Sequence, residues 1–300
     1  MRARLLAALT PFALALAAPA GALAITVNED FKPQNEFKLD PWIEIKLGGL
    51  DLSINKAVVY ILAACVLTCF TLIYVARRMR DRPGRLQTAI EGYYGLITDI
   101  TKGNLSGAMV RRWFPFLAAM FVFIWFSNMI GYLPLPTNTE HPVDIFGLEV
   151  PSLALYAATA NLSVPLVLTL LVIVSYHVEG IRAKGLVRYL RGWVPAGVEG
   201  PAAGPIFAIE VISHFVRIIS LSVRLFANML AGHLLILFMG GGLVVLLNLA
   251  VVGSLVLGVM TGTLAVAFYI FEVGLVATLQ AFIFTILAAI YLGGAVAEEH

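Results

Sequence analysis

Five apolar runs dominate this chain: Leu52 to Ala76, Trp113 to Tyr132, Ser152 to Tyr176, Pro205 to Phe238, and Leu243 to Leu292. Each is at least as long as the roughly 20 residues that an α-helix needs to cross a bilayer. Backbone placed in hydrocarbon must satisfy its own hydrogen bonds, which leaves helices or closed barrels. None of these runs shows the short-period alternation of a barrel strand. With 60% hydrophobic and 13% charged residues, the chain is far more apolar than soluble domains, which average about half and about a quarter. The expected fold is therefore an all-α integral membrane protein. A net charge of +2 gives no ground for a nucleic-acid partner, and no soluble domain or sustained repeat is visible.

Charge sets the topology. Arg2 and Arg4 precede an apolar stretch, Leu5 to Ala18, and Ala22-Leu23-Ala24 has the form of a cleavage site. Residues 1–24 thus read as a signal peptide, or alternatively as an uncleaved first span. Residues 25–51 would follow on the outer side. The first span ends in Arg77, Arg78, Arg80, Arg82 and Arg85, which marks a cytoplasmic end. Leu86, Ile90, Tyr93, Ile97 and Ile100 line one face of an amphipathic helix over 86–101, too polar to span and suited to the cytoplasmic surface. Arg111-Arg112 keeps that stretch inside. The loop after Tyr132 carries Glu140, His141, Asp144 and Glu149 without Lys or Arg, as an outer loop should. Arg182, Lys184, Arg188 and Arg191 then mark a return to the cytoplasm. Beyond Arg224 the chain has no Lys or Arg, so the charge rule falls silent. Gly240 to Gly242 reads as a turn. Residues 243–292 are either two crossings or one strongly tilted helix with a break near Gly258 to Gly262. Asn248, Glu272 and Gln280 are the notable polar members of that run. Cys65 and Cys69, one turn apart, read as small packed hydrophobes rather than a disulfide, redox pair or metal site.

The fourth run carries the chemistry. Glu210, His214, Arg217, Arg224 and Asn228 recur at spacings of 4, 3, 7 and 4, one face of a helix. A charge at membrane depth costs at least about 2.5–3.5 kcal/mol, so such residues mark ion paths, proton relays or partner contacts. Arginine does not titrate; Arg224 can only hold a mobile carboxylate or repel a passing cation. Glu210, His214, His233 and Glu272 do titrate and can pass protons on. Arg217 either snorkels to water or pairs with Glu210. His214 is either a hydrogen-bonded interior histidine or a relay. His233 lies nine residues from Arg224, half a turn away, and faces elsewhere, toward the final helix. Ser213, Ser220, Ala227 and Ala231 follow one edge where a neighbour can approach closely, within this chain or in a partner. No phosphate loop, zinc-ligand spacing or nucleophile elbow is present, so neither a metal nor a cofactor nor an enzymatic activity is expected.

Ser220-Leu-Ser-Val-Arg224-Leu-Phe-Ala-Asn228-Met-Leu-Ala-Gly232-His233 closely resembles the signature of subunit a of the F-type ATP synthases. Leu279-Gln280-Ala281-Phe282-Ile283-Phe284, then Ile290-Tyr291-Leu292, resembles that family's last helix, and Asn128 to Gly131 fits as well. The resemblance runs from about Pro41 to His300. It implies a proton-conducting stator beside a rotating ring of small hairpin subunits, in a bacterial inner membrane. The peripheral-stalk subunit and the rest of the synthase would be further partners. Arg224 would face the ring carboxylate, with Asn228 and Gln280 near it. His233 and Glu272 would line the outer half-channel; Glu210 and Ser220 match polar positions toward the cytoplasmic route. The last two helices would form long tilted arms along the ring, with the C-terminus cytoplasmic. Glu272 departs from the pattern, because it precedes Gln280 by eight residues where the family has seven, a spacing that would select Val273. A stand-alone proton or cation channel or antiporter, and a purely structural scaffold, are the alternative readings.

Overall fold

The computed structural model describes residues 37–39, 41–47, 50–145, 147–194, 200–247 and 251–297. The expected signal peptide, Asn248 and the C-terminal His300 lie outside them. Among the described residues, five helical stretches are long and apolar enough to cross a membrane, in agreement with the five runs of the sequence. The chain divides into two compact units.

The larger unit comprises Pro41–Pro134, Tyr156–Met229 and Ala277–His300. After a two-residue hairpin, β1 (Lys46–Leu47) against β2 (Leu50–Asp51), helix α1 spans Lys56–Arg77. Its start is fixed by Asn55, whose side chain accepts a 3.1 Å hydrogen bond from the Val58 amide, an N-cap worth about 1 kcal/mol. Cys65 and Cys69 are both free, and both are exposed rather than packed inside as expected. Helix α2 (Arg85–Asn104) is the amphipathic helix; Ile97 and Ile100 point into the core. Tyr93 on α2 donates its hydroxyl to the Ala118 carbonyl, and burial pushes its phenol pKa up.

Helix α3 (Gly107–Gly131) starts six residues before Trp113, since Gly107 to Arg112 continue its first turns. Ser152–Ala154, expected to open the third span, instead belong to a β-strand over Leu148–Ala154, and helix α4 begins only at Ser163, running to Lys184. Two local features explain the late start. Asn161 accepts a 3.0 Å bond from the Ser163 amide, a turn of its own. Pro165 lacks an amide proton and so belongs in a first turn, where none is needed. A short helix α5 (Leu186–Arg191) follows, then the long helix α6 (Ala203–Leu237).

The last helix, α9 (Ala277–Val296), buries Ala277, Ala281, Phe284, Ala288 and Leu292 and packs against α2, α3 and α4. Lipid tails are as apolar as leucine, so close contact between small residues, rather than exclusion of water, holds such helices together. Gly293 illustrates this closeness: a Cβ there would overlap the Asn104 carbonyl oxygen. Ile97, Leu117, Phe121, Ile124, Val172, Leu221, Leu225 and Phe284 complete one continuous core.

The smaller unit contains Leu135–Leu155 and Leu230–Val276. Leu135–Ile145 (β3) and Leu148–Ala154 (β4) pair as an antiparallel hairpin, with Gly147 at φ 82° in the turn, so the loop after Tyr132 is a ribbon rather than irregular chain. Past α6, the backbone leaves helical geometry at Gly241 (φ 159°) within a π-type turn over Phe238–Gly242, the turn expected at that glycine run. Helices α7 (Leu243–Leu247) and α8 (Val251–Phe271) follow. The break expected near Gly258 to Gly262 does not occur, because α8 passes straight through those glycines. A Cβ on Gly258 would make only an ordinary 3.6 Å contact with Val244. The irregularity lies instead at Glu272–Val276, a π-helical turn leading into α9. Residues 251–296 therefore form one unbroken helical stretch of 46 residues.

Candidate functional site

In the smaller unit, the end of α6 and the end of α8 bring together two of the residues singled out by sequence. His233 is almost fully buried, at 2% exposure. Beside it stands Gly232, and directly over Gly232 lies the carboxylate of Glu272: a Cβ at position 232 would be 2.7 Å from both Cδ and Oε2. Glycine at 232 is thus what leaves room for Glu272 next to His233. The π turn that opens at Glu272 closes on i→i+5 bonds and takes up one residue more than an α turn. It is the form that a one-residue insertion adopts inside a helix. The neighbour of Gly232 is Glu272 itself, not Val273.

The larger unit holds a second titratable cluster. Arg217 donates a 3.2 Å hydrogen bond to Oε1 of Glu210 and stacks on Tyr291, with its guanidinium 5.4 Å from the ring centroid. Pairing, rather than simple snorkelling, accounts for Arg217. His214 Nε2 is 3.8 Å from the same Glu210 oxygen, and its Nδ1 lies 2.7 Å from the Tyr176 hydroxyl. Trp193 packs on the His214 ring, at 4.5 Å between centroids. His177, on the turn of α4 next to Tyr176, hydrogen-bonds the Tyr189 hydroxyl at 2.8 Å. Burial pushes the Tyr189 phenol pKa up. Apart from His177, these side chains border a cavity of about 420 Å³, also lined by Lys184, Gly294 and Ala295. That volume admits several water molecules, whose share of liquid is about 30 Å³ each.

Between these clusters in sequence, Ser220, Arg224 and Asn228 share an exposed face of α6 with Val223 and Ala227. Among the described residues Arg224 makes no hydrogen bond and no ion pair. Such an arginine inside a spanning helix has no counter-charge among the described residues. Gln280, on α9, is 5% exposed, one turn from the buried Phe284. The structure thus joins Glu210 with His214 and sets Glu272 against the turn of α6 that carries His233, while Arg224, on an exposed face, has no ion-pair partner among the described residues.

Several participants escaped the sequence reading because their partners are remote in the chain. Tyr176, His177, Tyr189, Trp193 and Tyr291 are ordinary aromatic or histidine positions until folding gathers them. Asn128, fully buried, accepts from the Thr159 hydroxyl at 2.8 Å and donates to the Ala277 carbonyl at 3.3 Å, tying α3 to the start of α9. Arg112 donates a 2.7 Å bond to Glu179, a carboxylate with a side chain only 6% exposed. Among the described residues, no group of three His, Cys, Asp or Glu side chains is placed to hold a metal ion.

Residues 58–293 match the family described as ATP synthase A chain. The chain is 34% identical over 273 residues to ATP synthase subunit a of Parvibaculum lavamentivorans, covering 89% of this chain and 94% of that one. It is also 34% identical over 267 residues to ATP synthase subunit a of Paramagnetospirillum magneticum, covering 88% and 98%. Over 253 residues it is 34% identical to the same subunit of Rubrobacter xylanophilus, covering 83% and 87%. With its five spans, its lone Arg224 and a family match over most of its length, this chain belongs to the ATP synthase A chain family, the proton-translocating stator subunit of the synthase membrane sector.

Proposed function

We propose that protons cross this subunit by two separate half-channels, joined only through a carboxylate on a rotating ring of small hairpin subunits. Arg224 carries this reading: it is a permanent cation in a spanning helix, exposed among small residues, with no counter-charge among the described residues. A partner that supplies a carboxylate at that depth removes the cost of the unpaired charge. The exposed small residues Ser220 and Ala227 allow such a partner to approach closely.

On the outer side, His233 and Glu272 pass protons to the ring carboxylate. Once neutral, that carboxyl can enter lipid, because desolvating it costs far less than desolvating a carboxylate. After almost a full turn the site reaches Arg224 and gives up its proton toward the cytoplasm, by way of Ser220 and the cavity of Glu210 and His214. Arg224 stabilises the emptied site, and its charge keeps the two paths from joining. Asn228 and Gln280 flank it. Glu210 also neutralises Arg217, which would otherwise repel protons from the cavity. The subunit conducts and catalyses no bond-making step of its own. The mature N-terminus lies outside and the C-terminus in the cytoplasm of a bacterial plasma membrane, with the peripheral stalk as a further partner.

The test is ATP synthesis in membrane vesicles carrying Arg224→Ala or Arg224→Lys. Both variants should assemble, and synthesis should fall to background in the first and nearly so in the second. Lysine is a compact point charge that can lose its proton when desolvated, whereas the guanidinium cannot. Wild-type synthesis rates in either variant would defeat the proposal.

A further inference from the structure

We infer that the end of α4 and the short helix α5 form a binding site for the phosphodiester headgroup of an anionic phospholipid. Lys184, Arg188 and Arg191 surround an open concavity of about 430 Å³ that is completed by Gly185, Leu186 and Val187. Among the described residues, no carboxylate lines it. Arg188 and Arg191, one turn apart on α5, are exposed and make no ion pair among the described residues. Lys184 donates a 2.7 Å bond to the Ala297 carbonyl, which leaves two of its three donors available.

A bias toward cytoplasmic Lys and Arg accounts for the presence of these cations but not for their convergence. Convergence comes from Gly185, whose backbone (φ 77°, ψ 155°) folds α5 back from the end of α4. That left-handed conformation favours glycine. The opposite face of α5 is fixed: Tyr189 is 5% exposed, hydrogen-bonded to His177, and seated so close to Gly180 that any Cβ there would overlap its ring. The helix is therefore a held platform. Leu186 (56%) and Val187 (64%) are exposed beside the cations at the end of a spanning helix. Apolar side chains next to clustered cations at the membrane surface match a lipid, with acyl chains along Leu186 and Val187 and the phosphate between the guanidinium groups. Guanidinium groups pair bidentately with phosphate oxygens, and basic pockets at the ends of spanning helices hold anionic headgroups. The inference rests on α4 spanning the membrane, not on the proton paths.

The experiment uses the whole synthase complex in vesicles containing photoactivatable phosphatidylglycerol, with labelled peptides identified by mass spectrometry. The peptide spanning 185–191 should be labelled in the wild-type complex, and much less so with photoactivatable phosphatidylcholine. In Arg188→Gln/Arg191→Gln the labelling should fall by about fivefold for each cation removed. Arg80→Gln/Arg82→Gln, which removes the same charge elsewhere, should leave it unchanged. Equal labelling by the two lipids in the wild-type complex would overturn the inference without any variant having to assemble. Equal loss in both double variants would reduce the site to general surface potential, and complete competition by millimolar inorganic phosphate would make it a free-anion site; either result rejects the lipid.

Discussion

The Glu272 carboxylate fills the space that a side chain on Gly232 would occupy, with Cδ and Oε2 each 2.7 Å from the position of a Cβ. Gly232 directly precedes the buried His233 in α6, so this contact sets the Glu272 carboxylate against the same turn of α6 that carries His233. Gly232→Ala should force Glu272 aside and slow ATP synthesis by about tenfold, the effect of roughly 1.4 kcal/mol on the limiting step. Adding Glu272→Asp, shorter by one methylene, should recover part of the loss. Full synthesis rates in vesicles of the single variant would show that the contact does not matter.

His233 and Glu272 should be functionally coupled. Replacing either alone should slow proton uptake, and His233→Glu with Glu272→His should be more active than the single changes predict if they act independently. Val273→His should not rescue His233→Glu, because it is Glu272 that sits over Gly232. ATP-driven quenching of a pH-sensitive dye in inverted vesicles measures this directly. Better rescue from position 273 would move the outer path by one residue.

Arg112 and Glu179 give a test of stability rather than conduction. Removing Arg112 leaves a buried carboxylate without its partner. Since the Arg112 side chain is 59% exposed, solvent screens part of the loss, and about 2 kcal/mol is expected. Arg112→Ala should therefore lower the thermal stability of the purified complex, and Arg112→Ala/Glu179→Gln should restore much of it. A double variant no more stable than Arg112→Ala would mean that the charge of Glu179 is not what the arginine compensates.

Topology can be read by labelling single cysteines in a background with Cys65 and Cys69 replaced by alanine. Arg80→Cys and Arg188→Cys should react from the cytoplasmic side, and Asn138→Cys from outside. Labelling of position 188 and position 138 from the same side would break the proposed order of crossings.

The apolar runs by themselves determined five spans and their helical form, because backbone in lipid has so few ways to satisfy its hydrogen bonds. The stripe from Glu210 to Asn228 was legible too, since a charge in such a run is costly enough to need a reason. Element ends were less legible. Ser152–Ala154 are apolar enough to extend a span, yet they pair with β3, and strand pairing is a non-local contact that hydropathy does not register. Gly258 and Gly262 looked like a break, but glycine in a packed membrane helix is tolerated, and the irregularity lies at Glu272–Val276 instead. Which titratable residues meet was decided only by the tertiary structure. The 2.7 Å bond between Tyr176 and His214 and the placement of Glu272 over Gly232 join residues that are 38 and 40 positions apart in the chain. Helical periodicity says which face a residue takes, while packing alone chooses what that face meets.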